Sequence, residues 1–209
     1  MQWKSSLAVL CAAWTLAAAA VAAPLDPAFE RQRPSADARA MAEWTLRNGD
    51  ARGKPFVIVD KKAARLYAFN AQAQLVGATP VILGSTPGDH TVPGVGDRAQ
   101  TGTLAANERT TPAGRFETHP GRNRDGEHVI WLDYEAAFAI HRLRPGRTQQ
   151  VRAARLESSS PKERRLSLGC VVVPVQFYLD VVEPLLGRKR GVVYVLPERR
   201  PLGQLITEL

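Results

Sequence analysis

Cysteine is nearly absent from this sequence, which has two, Cys11 and Cys170, among 209 residues. Cys11 lies in an apolar run over residues 7–22 that ends in Ala-Val-Ala, the small-x-small pattern of a cleaved secretory signal. We therefore predict that residues 1–22 are removed on export. The remaining chain then has one cysteine and no internal disulfide, so Cys170 is buried and inert, paired with another chain, or reactive.

Long hydrophobic runs are also missing after residue 23, which excludes a further membrane-spanning helix on length alone. An uncleaved anchor and a lipoprotein are the alternatives to a cleaved signal. The lipoprotein is disfavoured because Leu10, rather than a small residue, precedes Cys11. The histidines and cysteines show no metal-ligand spacing, so no metal and no cofactor is predicted.

Acidic residues are too few to balance the basic ones, and the formal net charge is +8. In the cytoplasm this charge would suggest nucleic acid as a partner. For an exported protein, located in the periplasm or cell envelope, an anionic envelope polymer is the more plausible partner, and no nucleic acid is predicted. The alternative is that the positive charge has no specific partner and only keeps the protein soluble.

Length and hydrophobic patterning predict one mainly β domain with a small extension. Short β-branched and aromatic runs predict strands at 56–59, 66–69, 75–83, 129–132, 137–141 and 191–196. Helices are predicted over residues 35–48, with Ser35 as cap and Gly49 as stop, and over residues 175–186. Residues 84–103 are interpreted as a loop and 142–165 as a flexible basic insertion. The predicted divisions are a signal peptide (1–22), an N-terminal extension (23–53), one domain (54–198) and a tail (199–209).

Cys170 stands in a segment that suits a nucleophile. A thiol attacks as the thiolate and needs a base, usually histidine. Of the four histidines, only His141 ends an apolar strand, where a rigid position suits a general base. Gly169 allows close approach of the backbone, and the amide groups of this segment can face a developing oxyanion.

The order of these segments resembles the L,D-transpeptidase catalytic domain, also called the YkuD domain. That family has an Ile-His strand end followed by Ser/Thr-His-Gly-Cys, which matches Ile140-His141 and Ser167-Leu168-Gly169-Cys170. Its Thr-Pro-x-Gly-x-Phe segment matches residues 111–116, and the resemblance covers roughly residues 54–197. Two positions depart from the pattern. Leu168 replaces a histidine, and Val172 stands where a polar residue is usual.

The resemblance implies a β-sandwich or curled mixed sheet with one or two short helices, plus an N-terminal helix. It also implies a cysteine acyltransferase without a cofactor, in which Cys170 is the nucleophile and His141 moves the proton. The implied partner is a peptidoglycan stem peptide, which loses its terminal D-Ala before an amine accepts the acyl group. The other implied site residues are the supporting residues Gly169, Leu168, Ser167 and Arg142 and the substrate-binding residues Thr111, Gly114 and Trp131.

Other functions stay open on the same residues. If water accepts the acyl group, the protein is an L,D-carboxypeptidase, and an amidase on this scaffold is a further alternative. A non-catalytic peptidoglycan-binding protein is the third, and Leu168 is the residue that favours it. The lone exported thiol, retained with His141, argues against that third alternative.

Overall fold

The computed structural model describes residue 29 and residues 31–209. The predicted signal peptide over residues 1–22 lies outside the described residues. Across the described part of the chain, none of the helices combines the length and the apolar character needed to cross a bilayer.

Strands and short helices alternate along residues 31–209. The strands are β1 (Phe56–Asp60), β2 (Arg65–Phe69), β3 (Leu75–Pro80), β4 (Leu83–Gly84), β5 (Gly114–Glu117), β6 (His119–Arg122), β7 (His128–Asp133), β8 (Phe138–Arg142), β9 (Arg165–Ser167), β10 (Val171–Val173) and β11 (Val192–Val195). The α-helices are α1 (Ala36–Asn48), α2 (Val95–Thr101), α3 (Gln149–Glu157), α4 (Val175–Phe177), α5 (Glu183–Leu186) and α6 (Leu202–Glu208). A π-helical turn, Tyr178–Val182, joins α4 to α5.

Helix α1 begins and ends where its caps predict. The Ser35 hydroxyl accepts a hydrogen bond from the Ala38 N–H at 3.0 Å, which satisfies one donor of the first turn. Gly49 adopts a left-handed conformation with φ of +60°, and its N–H donates to the Leu46 carbonyl. The predicted N-terminal helix is confirmed.

Two sheets form the framework. The larger has the order β3-β2-β1-β11-β5, in which β1 and β11 are parallel and the other pairs antiparallel. The smaller has the order β10-β8-β7-β6, in which β10 and β8 are parallel. One core cluster lies between the sheets and includes Val57, Val193, Ile130, Ile140, Val171 and Val173. The second cluster covers the opposite face of the larger sheet with residues of α1 and α6, so β1 and β11 are buried throughout.

Strands β4 and β9 form a separate, two-stranded parallel pair. Ile82 and Val172 exchange two backbone hydrogen bonds of 2.9 Å, which link the segment before β4 to β10. The chain between β9 and β10 is therefore anchored on both sides. This short turn, residues 168–170, lies beside β8.

The predicted mainly β fold with an N-terminal helix is confirmed, and two sequence interpretations need correction. The segment 84–103 is not only loop, because α2 forms within it after Gly94, which has φ of +72°. The insertion 142–165 is not simply flexible, because it contains α3. The tail also contains a helix, α6. Both helices bury leucines, Leu156 in α3 and Leu205 in α6, and this tertiary packing is absent from local sequence patterns.

Candidate active site

His141 lies on β8 and is 7% exposed. Its Nδ1 is 2.8 Å from the carbonyl oxygen of Arg142. Because a carbonyl only accepts hydrogen bonds, Nδ1 carries the hydrogen and Nε2 keeps its lone pair. The backbone thus fixes the tautomer that can take a proton through Nε2.

The surroundings of His141 keep the imidazole neutral. Burial is the main cause that lowers the pKa of His141 to about 3, and repulsion by Arg144 adds to it. The hydrogen bond to the Arg142 carbonyl acts in the opposite direction but is outweighed. A neutral imidazole at pH 7 can act as a general base.

Cys170 is a free, half-buried thiol at the residue before β10. Val171 pairs with Ile140, so the parallel register brings Cys170 next to β8, the strand of His141. Its Sγ donates to the Ala137 carbonyl across 3.4 Å. Burial raises the pKa of the Cys170 thiol, although a backbone hydrogen bond of Ala139 and the nearby arginines oppose this. The resting thiol is therefore protonated.

Ser167 closes the turn that carries the thiol. Its hydroxyl donates to the Cys170 carbonyl at 2.7 Å and accepts from the Gly169 N–H at 3.1 Å. Gly169 has φ of +146°, and a Cβ there would lie 2.8 Å from the Thr110 carbonyl oxygen. Glycine is required here by both the conformation and the close approach.

Thr111 supports the same turn from behind. Its side chain is fully buried, and its hydroxyl donates to the Gly169 carbonyl at 2.7 Å while accepting from the Gly84 N–H at 2.8 Å. It does not line the cavity described below, and neither does Gly114. Because its side chain is fully buried, Thr111 acts by positioning the turn rather than by contacting substrate, whereas the substrate contact of Gly114 stays a prediction.

Thr111→Val is expected to weaken this support. The change keeps the shape of the side chain but removes two buried hydrogen bonds, so we expect a loss of about 1–3 kcal/mol in the free energy of unfolding. Displacement of the turn is expected to slow alkylation of Cys170 by roughly ten- to hundredfold. Urea unfolding and the rate of reaction with iodoacetamide measure the two effects.

Thr45→Val is the matched control, because the buried Thr45 hydroxyl donates to the Met41 carbonyl at 2.8 Å within α1. It should lower stability without changing the alkylation of Cys170. Equal alkylation rates in the two variants would contradict a positioning role for Thr111.

Cys170 and His141 line one cavity of about 930 Å³. Trp131 lies in its wall, and Ser167, Leu168 and Gly169 border it. The substrate-binding role of Trp131 stays a prediction. Several side chains at its rim are apolar and exposed, namely Tyr134, Val151, Leu166 and Leu168. Leu168 thus puts an apolar surface beside the thiol.

Arginines dominate the charge of this cavity. Four arginines line it, Arg122, Arg124, Arg144 and Arg152, together with a single acidic residue, Asp125. Arg144 and Arg152 cannot be assigned to the site from the sequence, because a basic insertion shows no pattern that links it to a site. Within residues 31–209, no group of three His, Cys, Asp or Glu side chains is placed to hold a metal ion.

Several solved structures similar to this chain are L,D-transpeptidase catalytic domains. The L,D-transpeptidase from Xylanimonas cellulosilytica is 17% identical with a TM-score of 0.39, covering 68% of this chain and 60% of that chain. The helical cell shape determining protein Pgp2 from Campylobacter jejuni is 16% identical with a TM-score of 0.44, covering 80% of this chain and 58% of that chain.

A fused Zn-dependent amidase/peptidase/peptidoglycan-binding domain-containing protein from Clostridium acetobutylicum is 18% identical with a TM-score of 0.40. That alignment covers 78% of this chain and 63% of the other. The chain thus spans about three fifths of the length of these three proteins. No protein-family model matches the sequence. No curated protein matches it either.

Proposed function

We propose that this protein is an exported cysteine acyltransferase that acts on peptidoglycan stem peptides, with Cys170 as nucleophile and His141 as base. The observation that carries the proposal is the shared cavity. A free thiol and a buried, neutral imidazole with a fixed tautomer line the same space on adjacent parallel segments. This arrangement provides the nucleophile and base that acyl transfer requires.

The proposed reaction begins with two neutral groups. His141 Nε2 takes the proton of the Cys170 thiol as Sγ attacks the carbonyl carbon before the terminal D-Ala. The tetrahedral intermediate collapses, the C–N bond breaks, and the imidazolium returns its proton to the leaving amine. An amine then attacks the thioester, loses a proton through His141 and releases the thiol, which yields the new amide.

The oxyanion of the intermediate needs hydrogen-bond donors close to Sγ. The Gly169 N–H already donates to Ser167, so the expectation that it faces the oxyanion is replaced. The Cys170 N–H is the proposed donor within the turn. Ser167 and Thr111 hold the carbonyl groups of Cys170 and Gly169 and so fix the direction of this amide.

Digestion of purified muropeptides by the wild-type protein and by Cys170→Ala tests the proposal. We expect the wild type to release D-Ala, and the variant to lose this activity by at least about a thousandfold because the nucleophile is gone. Mass spectrometry identifies the products and the acyl group on Cys170. An amide product indicates transfer, whereas a shortened tripeptide indicates hydrolysis.

Undiminished turnover by Cys170→Ala would overturn the nucleophile assignment. Absence of any Cys170-dependent product from the folded wild type, over a panel of stem peptides with added amines, would overturn the enzyme assignment. That second result would favour the non-catalytic envelope protein. Circular dichroism of both proteins provides the control for folding.

A further inference from the structure

We propose that Arg152, together with Arg144, forms a carboxylate-binding subsite beside Cys170 that selects anionic substrates. The inference rests on the proposed function for its substrate, but its geometric basis is independent. Both side chains line the cavity of Cys170 and His141. Neither belongs to the segments that resemble the L,D-transpeptidase family, since both come from the insertion.

Helix α3 holds Arg152 in a fixed position. Leu156 lies one turn after Arg152 on the same helical face and is 4% exposed. It belongs to the same buried cluster as Ile82 and Val172, and Val172 follows Cys170 by two residues. The contact that anchors the helix is therefore adjacent to the nucleophile, and the i, i+4 spacing directs Arg152 to the same side.

The two guanidinium groups differ in how far they are neutralised. Arg144 lies 3.0 Å from a Glu127 carboxylate oxygen and 4.0 Å from one of Asp125. Arg152 is half-buried. The Nε atoms of both arginines are buried without a hydrogen bond in the described part of the chain, so the difference between them lies in their ion pairs. The ion pairs of residues 31–209 do not include Arg152. Arg152 is thus the cation with capacity left for a ligand.

The electrostatics of Arg152 favour an anionic ligand. Burial lowers the pKa of Arg152 and repulsion by Arg144 adds to this, while Cys170 alone acts in the opposite direction. Two half-buried guanidinium groups in one cavity are unfavourable unless an anion lies between or beside them. A carboxylate matches the planar donors of arginine in a bidentate arrangement.

The alternative role for Arg152 is to stabilise the thiolate of Cys170. Two alkylating reagents of nearly equal size distinguish this role from the binding of a carboxylate. Iodoacetate and iodoacetamide alkylate the same thiolate, so the thiolate fraction cancels in the ratio of their rates. A role of Arg152 in setting the pKa of Cys170 changes both rates equally. A carboxylate-binding role changes only the rate with iodoacetate.

We expect Arg152→Gln to lower the iodoacetate-to-iodoacetamide rate ratio by about five- to tenfold, the effect of one lost charge-assisted contact. The matched control is Arg155→Gln on the same helix, since Arg155 pairs with Glu163 at 3.1 Å outside the cavity. Arg152→Lys, which keeps the charge but loses the planar donors, should give an intermediate ratio and serves if Arg152→Gln fails to fold. An unchanged ratio in the folded Arg152 variants would overturn the inference.

Stem peptides identify which carboxylate is bound. The turnover of peptides amidated at the terminal carboxyl group, or at a side-chain carboxyl group, is compared with that of the free acid. The bound carboxylate is the one whose amidation slows turnover by the wild type but not by Arg152→Gln. Equal sensitivity of both proteins to both amidations would overturn the substrate role of Arg152. If the wild type turns over none of the peptides, the proposed function fails, whereas the alkylation ratio still tests the subsite.

Discussion

His141→Gln is expected to slow the reaction of Cys170 with its acyl donor by about 10²–10⁴-fold at pH 7, the range that a lost general base costs. Glutamine can keep a hydrogen bond to the Arg142 carbonyl, so the main loss is the basic Nε2. Single-turnover acylation, followed by intact mass on Cys170, measures the rate without interference from the acceptor step.

The pH dependence gives a sharper test than the rate at one pH. In the wild type, neutral imidazole and protonated thiol coexist above the His141 pKa of about 3 and below the raised pKa of Cys170. Acylation should therefore be nearly independent of pH across this range. In His141→Gln only free thiolate reacts, so the rate should rise about tenfold per pH unit until the thiol ionises.

The stability of the wild type must be followed in the same pH range. Because the folded pKa of His141 is about 3 and its ordinary value is 6.5, the unfolded chain binds a proton in this interval and the folded chain does not. The free energy of unfolding therefore falls as the pH drops from 6.5 toward 3, by about 1.4 kcal/mol per unit at most. Rates are compared only where circular dichroism shows a folded protein.

His128→Gln is the matched control, because His128 Nδ1 lies 2.9 Å from the Tyr178 hydroxyl and the residue is not part of the cavity. It should leave the rate and its pH dependence unchanged. A wild-type profile that already rises tenfold per pH unit, or a His141→Gln profile with a plateau, would show that His141 is not the base.

Much of the framework follows from local sequence. Branched residues such as those of Val57–Val59 form strands because they pack well on a pleated surface, and the Ser35 and Gly49 caps fix the ends of α1. The position of His141 near the end of a strand follows in the same way, since Phe138, Ala139 and Ile140 form the apolar run of β8. Cys170 was found because it is the only cysteine after residue 22.

The remaining features depend on contacts between distant residues. Thr111 is separated from Gly169 by 58 positions, so the sequence around Thr111 gives no sign of their hydrogen bond. The local pattern predicts a turn in contact with substrate, whereas the residue is buried and supports Gly169. Arg152 lies in α3, a polar helix in which Leu156 is the single buried residue. Lys61 and Lys62 look alike in sequence, yet Lys61 is fully buried while the Lys62 side chain is 50% exposed. Only the folded chain distinguishes them.

Lys61→Met is expected to lower the free energy of unfolding by about 3–5 kcal/mol, because it leaves a buried carboxylate without its partner. Lys61 Nζ donates to Asp89 Oδ1 and to the Thr111 carbonyl, each at 2.8 Å, and Glu198 lies 3.7 Å away. Urea unfolding measures the loss. Lys62→Met is the matched control, with an expected cost below about 1 kcal/mol, since Lys62 makes an exposed ion pair with Asp37.

The loss of stability at acidic pH tests the same ion cluster, which is formed by Lys61, Asp89 and Glu198. Burial alone would raise the pKa of Asp89, but the Lys61 ammonium and the backbone N–H groups of Glu198 and Arg199 outweigh it and hold the pKa at about 2. In the wild type this stabilisation is present above the ordinary value of 3.8 and is lost as the pH falls through about 2. In Lys61→Met the main opposing partner is gone, so acid unfolding should begin at higher pH than in the wild type or in Lys62→Met.

The double variant Lys61→Met/Asp89→Asn determines how much of the loss comes from the uncompensated charge. It should recover part of the stability lost in Lys61→Met, because the buried carboxylate is removed with its partner. Lys61 also holds the carbonyl of Thr111, whose hydroxyl holds Gly169 in the turn of the nucleophile. Both Lys61 variants should therefore alkylate Cys170 more slowly than Lys62→Met, even under conditions where they are fully folded. Unchanged alkylation with lowered stability would separate the ion cluster from the site and assign the support of the turn to Thr111 rather than to Lys61.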